Sequence, residues 1–287
     1  MRADTRKLGV SRRIILLFLI VLGILTCIPL LFLVAGSFMD KYQLLRALSP
    51  VLNNGEGFVE WSLVPDRPTF FPYASLLDTP EFFVVFWNSV KMTGGILAGQ
   101  LVIGIPAAWA LAKLSFPGRR FFYLLYIILM LMPFQVTMLS SYLVLDALSI
   151  RNTIGGIILP AVFSTFPVFI MYRFFSGIPD AVIESAMLDG GGRFQICVRI
   201  GIPLGSAGII SALILGFLEY WSMIEQPMTF LENRALWPLS LYLPNVKLDK
   251  AGYLLAASVV TMVPSILLFF SGQDYLEQGI VASAIKE

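Results

Sequence analysis

The 287-residue chain contains no histidine. Imidazole metal ligands and histidine-based acid–base chemistry are therefore excluded. Only two cysteines occur, Cys27 inside an apolar run and Cys197 far downstream. A disulfide framework is not expected from them, and two isolated thiols make a poor metal site. Charge is scarce: Asp, Glu, Lys and Arg together form 13% of the chain, about half the share of a soluble globular domain. The net charge of +2 is too small to point to nucleic acid. Apolar residues form 57% of the chain and the mean hydropathy is +0.83. A core of this size cannot hide that much apolar surface, so lipid is the solvent for most of it.

Signature motifs are missing too. No G-x-x-x-x-G-K-[ST] occurs, so there is no P-loop. The triplet Gly190 to Gly192 follows an acidic segment and is not succeeded by Lys-Ser or Lys-Thr. Neither G-x-S-x-G nor H-E-x-x-H is present, and no catalytic or metal-binding constellation emerges. Voltage-sensor arginine rows and a T-V-G-Y-G filter are likewise absent. The chain reads as a membrane passage whose energy source lies on another polypeptide, with no cofactor of its own.

What the chain does have is long apolar stretches, at 14–36, 86–112, 121–145, 154–172, 204–226 and 252–271. A helical crossing needs about 20 apolar residues, and none of these shows the alternation of a barrel strand. The fold class expected is all-α: a polytopic membrane protein with six transmembrane helices. The leader "MRADTRKLGVSRR" invites a signal-peptide reading, but the run from Ile14 to Gly36 is too long for an h-region. A retained anchor is expected.

Orientation follows the Lys/Arg bias. With the N-terminus inside, the inner segments hold twelve basic residues: Arg2, Arg6, Lys7, Arg12, Arg13, Lys113, Arg119, Arg120, Arg173, Arg193, Arg199 and Lys286. The outer loops hold seven (Lys41, Arg46, Arg67, Arg151, Arg234, Lys247, Lys250), and Lys91 lies within the second span. The first outer loop adds the acids Asp40, Glu56, Glu60, Asp66, Asp78 and Glu81. Both termini are then cytoplasmic, in a bacterial or archaeal plasma membrane. Within the spans stand Pro29, Pro106, Pro133, Pro160, Pro167 and Pro264. Proline removes a donor and bends a helix. These prolines fit either a bundle curved around a pathway or the general abundance of proline in membrane helices.

The loop between the fourth and fifth spans carries acids, arginines and three consecutive glycines. From Pro179, helical spacing puts Val182, Ile183, Ala186 and Met187 on one face and Asp180, Glu184, Ser185 and Asp189 on the other. Pro179 suits a first helical position, Asp180 suits the positive end of the dipole, and Gly190 suits a left-handed terminator. A second short segment, Arg193 to Ile200, is expected next, with Pro203 opening the fifth span. Two uses remain open. The helix lies on the membrane with Arg193 and Arg199 near headgroups, or it docks into another protein.

The stretch resembles the EAA loop of ABC importer permeases, E-A-A-x3-G-x9-I-x-L-P. Glu184, Ala186, Gly190, Ile200 and Pro203 fall on that pattern, while Ser185 replaces the middle alanine and Ile202 the leucine. The resemblance extends to the binding-protein-dependent carbohydrate type, maltose-transporter second-permease-like. Trp87-Asn88-Ser89-Val90, Phe116-Pro117-Gly118, Met132-Pro133 and the tail Gln273-Asp274-Tyr275, Gly279 and Lys286 are similar to motifs of that branch. So is the Trp221 to Pro227 spacing, although Ser222 and Ile224 depart from its W-N-x-F-x-x-P.

The resemblance implies a type I importer permease whose coupling loop, 179–203, sits in a groove of an ATPase. Its implied partners are two cytoplasmic ATPase subunits binding ATP and Mg, a second permease subunit, an external solute-binding protein and membrane lipid. The coupling residues it implies are Glu184, Ser185, Ala186, Asp189, Gly190, Ile200 and Pro203. The expected layout is a cytoplasmic N-terminus at 1–13, a first transmembrane helix at 14–36, an external loop at 37–85, a permease core at 86–272 and a cytoplasmic tail at 273–287. The external loop serves as a resting place for the binding protein or as a plain cap.

Within the bundle, Asn88, Lys91, Gln100, Gln135, Glu219, Tyr220 and Trp221 are the candidates for a substrate pathway or gate. Polar residues at membrane depth mark function by default, and aromatics either stack on sugars or anchor helices at the interface. An ion pair between Lys91 and Glu219 is one expectation, with Lys91 snorkelling outward as its rival. A sugar or oligosaccharide is the expected solute. A polyol, a glycerol phosphate or a peptide is the alternative within the same family. An ion-coupled secondary transporter or a non-transporting scaffold lies outside it; few intramembrane carboxylates and no visible inverted repeat speak against the former.

Overall fold

The computed structural model describes residues 10–52, 62–245 and 250–284. Arg2, Arg6, Lys7, Glu56, Glu60, Lys247 and Lys286, which carried parts of the sequence reading, lie outside these residues. The regular structure described is all helical. In chain order the helices are α1 (Val10–Gly36), α2 (Lys41–Leu52), α3 (Phe71–Leu77), α4 (Pro80–Lys113), α5 (Arg119–Met130), α6 (Phe134–Ala147), α7 (Ile154–Val162), α8 (Thr165–Ser176), α9 (Asp180–Leu188), α10 (Arg193–Ile196), α11 (Ile202–Leu204), α12 (Ser206–Trp221), α13 (Glu225–Phe230), α14 (Leu239–Tyr242) and α15 (Ala251–Ala284). A π-helical turn, Cys197–Gly201, joins α10 to α11.

Two compact units divide the chain. The first comprises Met1–Thr79 and Val246–Thr261. Its α1 exposes every side chain from Ile14 to Leu22, as a lipid-facing helix does. The segment expected as an external loop is partly helical instead. Asp40 Oδ1 accepts from the Gln43 backbone N–H at 2.7 Å, capping α2, and Leu44 and Ala47 on its inner face are buried. Gln43 Nε2 donates to Ser62 Oγ and to the Val64 carbonyl, while its Oε1 accepts from the Asp66 N–H. One buried amide thus folds the segment back on α2, a long-range closure that no local pattern announces.

The second unit comprises Pro80–Asn245 and Met262–Glu287. The 34-residue α4 begins six residues before the expected start of the second span, and α7, α8 and α12 pack around it. Its buried residues include Val85, Ser89, Met92, Ile96, Gln100 and Gly104, the three- and four-residue spacing of one helix face. Glycines on α4 form notches. A β-carbon at Gly95 would sit 2.7 Å from Ile158 Cδ1, one at Gly99 2.3 Å from Val162 Cγ2, and one at Gly104 2.9 Å from Met171 Cε. Such small residues are the usual means of close helix approach in lipid, where burial drives nothing.

Among the described residues four stretches are long and apolar enough to cross a membrane: Ile14–Gly36, Pro80–Lys113, Ile154–Ser176 and Ala251–Leu276. The third and fifth expected spans are bent pairs. α5 and α6 meet at 101° across Leu131–Pro133, and Arg193–Leu204 meets Ser206–Trp221 at 71°. The first bend has its cause in Pro133, whose ring pushes the preceding residue out of helical backbone and which itself is extended at φ −68°, ψ 150°. The second corrects the expectation for Pro203. That residue lies within α11, and the break falls two residues later, at Gly205. Gly205 allows it because a β-carbon there would meet Phe175 Cε1 at 2.3 Å, so only hydrogen fits in the corner. Proline cannot donate to the carbonyl one turn back, and the helix ahead of Pro203 widens into the π turn.

Candidate functional site: a helix held against the bundle

α9 starts directly after Pro179, which is extended at φ −60°, ψ 134°, and ends at Leu188. Gly190 stands at φ +85°, the left-handed conformation expected of it. The Gly190 N–H donates to the Met187 carbonyl and the Gly191 N–H to the Ala186 carbonyl, each at 3.0 Å, closing the helix end. The buried face is narrower than the sequence pattern suggested. Ile183 is buried and Ala186 packs beside it on a cluster containing Trp109, Phe175, Ile196 and Cys197. Val182 and Met187 stay 36% and 46% exposed. Glu184, Ser185 and Asp189 face outward as expected. Ser185 Oγ donates back to the Ala181 and Val182 carbonyls, so it offers little to a partner. Leu188 and Phe194, unremarked in the sequence, are 89% and 81% exposed and give the outer surface an apolar rim. Of the remaining motif positions, Ile200 is half-buried and Pro203 is exposed.

A lysine fixes the start of α9. Lys113 Nζ donates to Asp180 Oδ1 at 2.6 Å and to the Ile178 carbonyl at 2.5 Å. The hydrogen bond and charge of Lys113 hold the Asp180 carboxyl below its ordinary pKa, although burial acts weakly the other way. Arg119 caps the end of α4, its Nη2 donating to the Ala112 carbonyl at 3.0 Å.

The candidate pathway residues divide into two groups. Asn88, Gln100, Tyr220 and Trp221 are buried. Asn88 Nδ2 donates to the Ala235 and Trp237 carbonyls; Gln100 Nε2 donates to the Ala161 carbonyl at 2.8 Å and to Tyr220 Oη at 2.9 Å. Trp221 stacks on Phe217 at 5.2 Å and meets Phe86 edge-on at 6.0 Å. Lys91, Gln135 and Glu219 are exposed. Gln135 Nε2 donates to Glu225 Oε1 at 2.8 Å, joining α6 to α13. Among the described residues no ion pair joins Lys91 to Glu219.

A further anchor escaped the sequence reading. Arg151 binds Asp146 and Glu232, lies 4.9 Å from the Tyr142 ring centroid, and has its pKa raised mainly by the bond to Glu232. Beside it Asn152, at φ 58°, accepts from the Glu232 and Asn233 N–H groups at 3.0 Å each. Asn tolerates that conformation well, and together the two residues stitch the α6–α7 turn to the segment after α13.

The chain is similar to known proteins along most of its length. The permease AraQ of an arabinooligosaccharides transport system from Halalkalibacterium halodurans is 29% identical over 262 residues, covering 90% of each chain. The diacetylchitobiose uptake permease NgcG of Streptomyces coelicolor is 27% identical, covering 93% of this chain and 85% of that one. UgpE, a permease of an sn-glycerol-3-phosphate transport system from Brucella melitensis, is 25% identical, covering 92% of this chain and 94% of its own. In fold, the chain is similar to a bacterial ABC transporter that imports the acidic polysaccharide alginate: TM-score 0.81, 20% identity, covering 96% of this chain and 99% of that one. Residues 100–282, which hold α9 and its supporting helices, match the family model of these transport components. The chain is thus a member of the family of binding-protein-dependent transport system inner membrane components.

Proposed function

We propose that this chain is a membrane-spanning permease subunit of an ATP-driven importer, that α9 is its coupling helix, and that a sugar or oligosaccharide is its solute. One observation carries the coupling reading. α9 is anchored on one side by Ile183 and the Lys113–Asp180 contact, and presents Glu184, Met187, Leu188 and Asp189 to the outside. An apolar rim around acidic acceptors, on a helix that cannot float away, suits a groove in another subunit. The sugar class is supported by the relatives that transport arabinooligosaccharides and diacetylchitobiose. The sn-glycerol-3-phosphate relatives support a second reading, a small phosphorylated polyol.

On this reading two ATPase subunits bind ATP and Mg, a second permease subunit completes the passage, and an external binding protein delivers solute. Both termini face the cytoplasm. Nucleotide closure and the loaded binding protein bias a two-state bundle from opposite sides. Lys91, Gln135 and Glu219, which face outward, are the pathway candidates; Asn88, Gln100, Tyr220 and Trp221 form the framework behind them.

The test is co-purification with the ATPase subunits, expected for the parent chain and lost with Glu184→Lys or Gly190→Pro. ATP hydrolysis by the reconstituted complex, screened with binding protein loaded by arabinooligosaccharide, chitobiose derivative or glycerol 3-phosphate, separates the solute classes. Uptake that collapses with an ionophore while ATP persists would instead point to an ion-coupled transporter.

A further inference from the structure

α4 carries buried polar ties near each end and at its middle. Toward one end Asn88 holds the Ala235 and Trp237 carbonyls, and Ser89 Oγ accepts from the Leu239 N–H at 2.8 Å. At the middle Gln100 holds Ala161 and Tyr220. At the other end Lys113 holds Ile178 and Asp180. Asn88 to Lys113 is about 37 Å along the helix at 1.5 Å per residue, more than the roughly 30 Å hydrocarbon core of a bilayer.

Lys113 is the unusual member. A lysine at the end of a membrane helix ordinarily carries its ammonium outward to water or headgroups. Here the side chain of Lys113 is 6% exposed, while that of its partner Asp180 is 80% exposed. The lysine has turned inward, under the junction where α8 gives way to α9. Ile183 grips the middle of α9; Lys113 grips its origin. Between the two ends α4 is one continuous helix, and its weak point, Pro106, is braced because Gly104 lies against Met171 and Ala108 is fully buried.

We propose that Lys113 is a positioning residue that clamps the start of the coupling helix to α4, so that α4 carries coupling-helix displacement to the Ala235–Leu239 segment. The proposal rests on the importer reading above. Its physical content is that the coupling helix has a non-covalent linkage to α4, in addition to the chain that joins it to α8 and runs on into α12.

The experiment uses the assembled complex with its ATPase subunits in lipid nanodiscs. The parent chain carries Ala235→Cys in a Cys27→Ser, Cys197→Ala background. Labelling by a polar maleimide is timed with and without ATP and vanadate. Trapping is expected to change the labelling rate by about fivefold or more, the lower bound of ordinary allosteric coupling. Lys113→Met is expected to abolish that change while the ATPase subunits still co-purify; Asp180→Glu is expected to retain it. Ser89→Ala, at the opposite end, is expected to trap nucleotide at the parent level yet respond weakly at position 235. Should Lys113→Met prevent assembly, Ser89→Ala decides. An unresponsive parent, or a full response in an assembled Lys113→Met complex, overturns the proposal; where Lys113→Met does not assemble, a full response in Ser89→Ala overturns it. Failure of the parent to co-purify with the ATPase subunits overturns the importer reading itself.

Discussion

Replacing Gly201 by alanine tests whether the π turn above α9 is fixed by its contact with Trp109. A β-carbon at position 201 falls 2.5 Å from Cζ3, 2.8 Å from Cε3 and 2.9 Å from Cη2 of that ring. Carbon atoms are best placed about 3.5–4.0 Å apart, so the ring must retreat by roughly 1 Å. It has no free space to enter. Trp109 is 5% exposed and stands edge-on to the fully buried Phe175 at 5.4 Å. Forcing a methylene into a closed core costs about 1–3 kcal/mol. Alanine in helical backbone recovers about 0.8–1 kcal/mol over glycine. The balance is a loss of about 1 kcal/mol, rising to about 2 if Phe175 is also displaced. Trp109→Leu removes the colliding ring, and on that background only the helical gain remains, so Gly201→Ala becomes neutral or mildly stabilising. Thermal unfolding midpoints of parent, both single variants and the double variant in one detergent measure the coupling, expected at about 1–3 kcal/mol, the size of the relieved overpacking. An equal drop from Gly201→Ala in both backgrounds, or a rise in the parent, would refute the reasoning.

Other outcomes follow from the same geometry. Gly190→Ala meets no atom within 4 Å, yet must hold φ +85°. It is expected to lose about 1–2 kcal/mol from backbone strain alone, with Gly190→Asn closer to the parent in midpoint and in ATPase co-purification. Tyr220→Phe removes one bond of Gln100 and is expected to cost about 0.6 kcal/mol, the average for such bonds in membranes. Gln100→Leu leaves both the Ala161 carbonyl and Tyr220 Oη without it, and its midpoint should fall further. The Asp180 carboxyl is held below its ordinary pKa by Lys113. Its contribution is therefore complete above the ordinary carboxylate range and disappears only as pH falls through the lowered value. Coupling measured from neutral to mildly acid pH should stay flat in the parent, and Asp180→Asn should sit at the low plateau at every pH.

The limits of α9 were legible because Pro179 and Gly190 act through their own backbones, and such signals need no tertiary knowledge. The bend at Pro133 was legible for the same reason. Its neighbour at Gly205 was not, since what matters there is Phe175, thirty residues away in sequence and absent from any local pattern. Lys113 could be counted as an inner basic residue, but nothing in its surroundings announces a carboxylate 67 positions downstream. Periodicity overestimated the buried face of α9 because it registers apolar character and not whether a neighbour is there to cover it. Val182 and Met187 are apolar yet exposed. Asn88 and Gln100 stood out as polar residues within apolar runs, and both are buried in the bundle. Their bonds to carbonyls of α7 and of the segment after α13 required the fold.

The glycine notches of α4 constrain the kind of motion available to this unit. Ile158, Val162 and Met171 sit in them like keys in a shaft. An axial slip of less than a full turn, about 5.4 Å, would lift each key out of its slot and onto a neighbouring side chain. Axial sliding of α4 along α7 and α8 is therefore opposed at three points, whereas tilting about those points is not. Tilts and swings of α4 against its neighbours are thus the motions these notches leave open, and the bends at Pro133 and Gly205 are the corners already present in the chain.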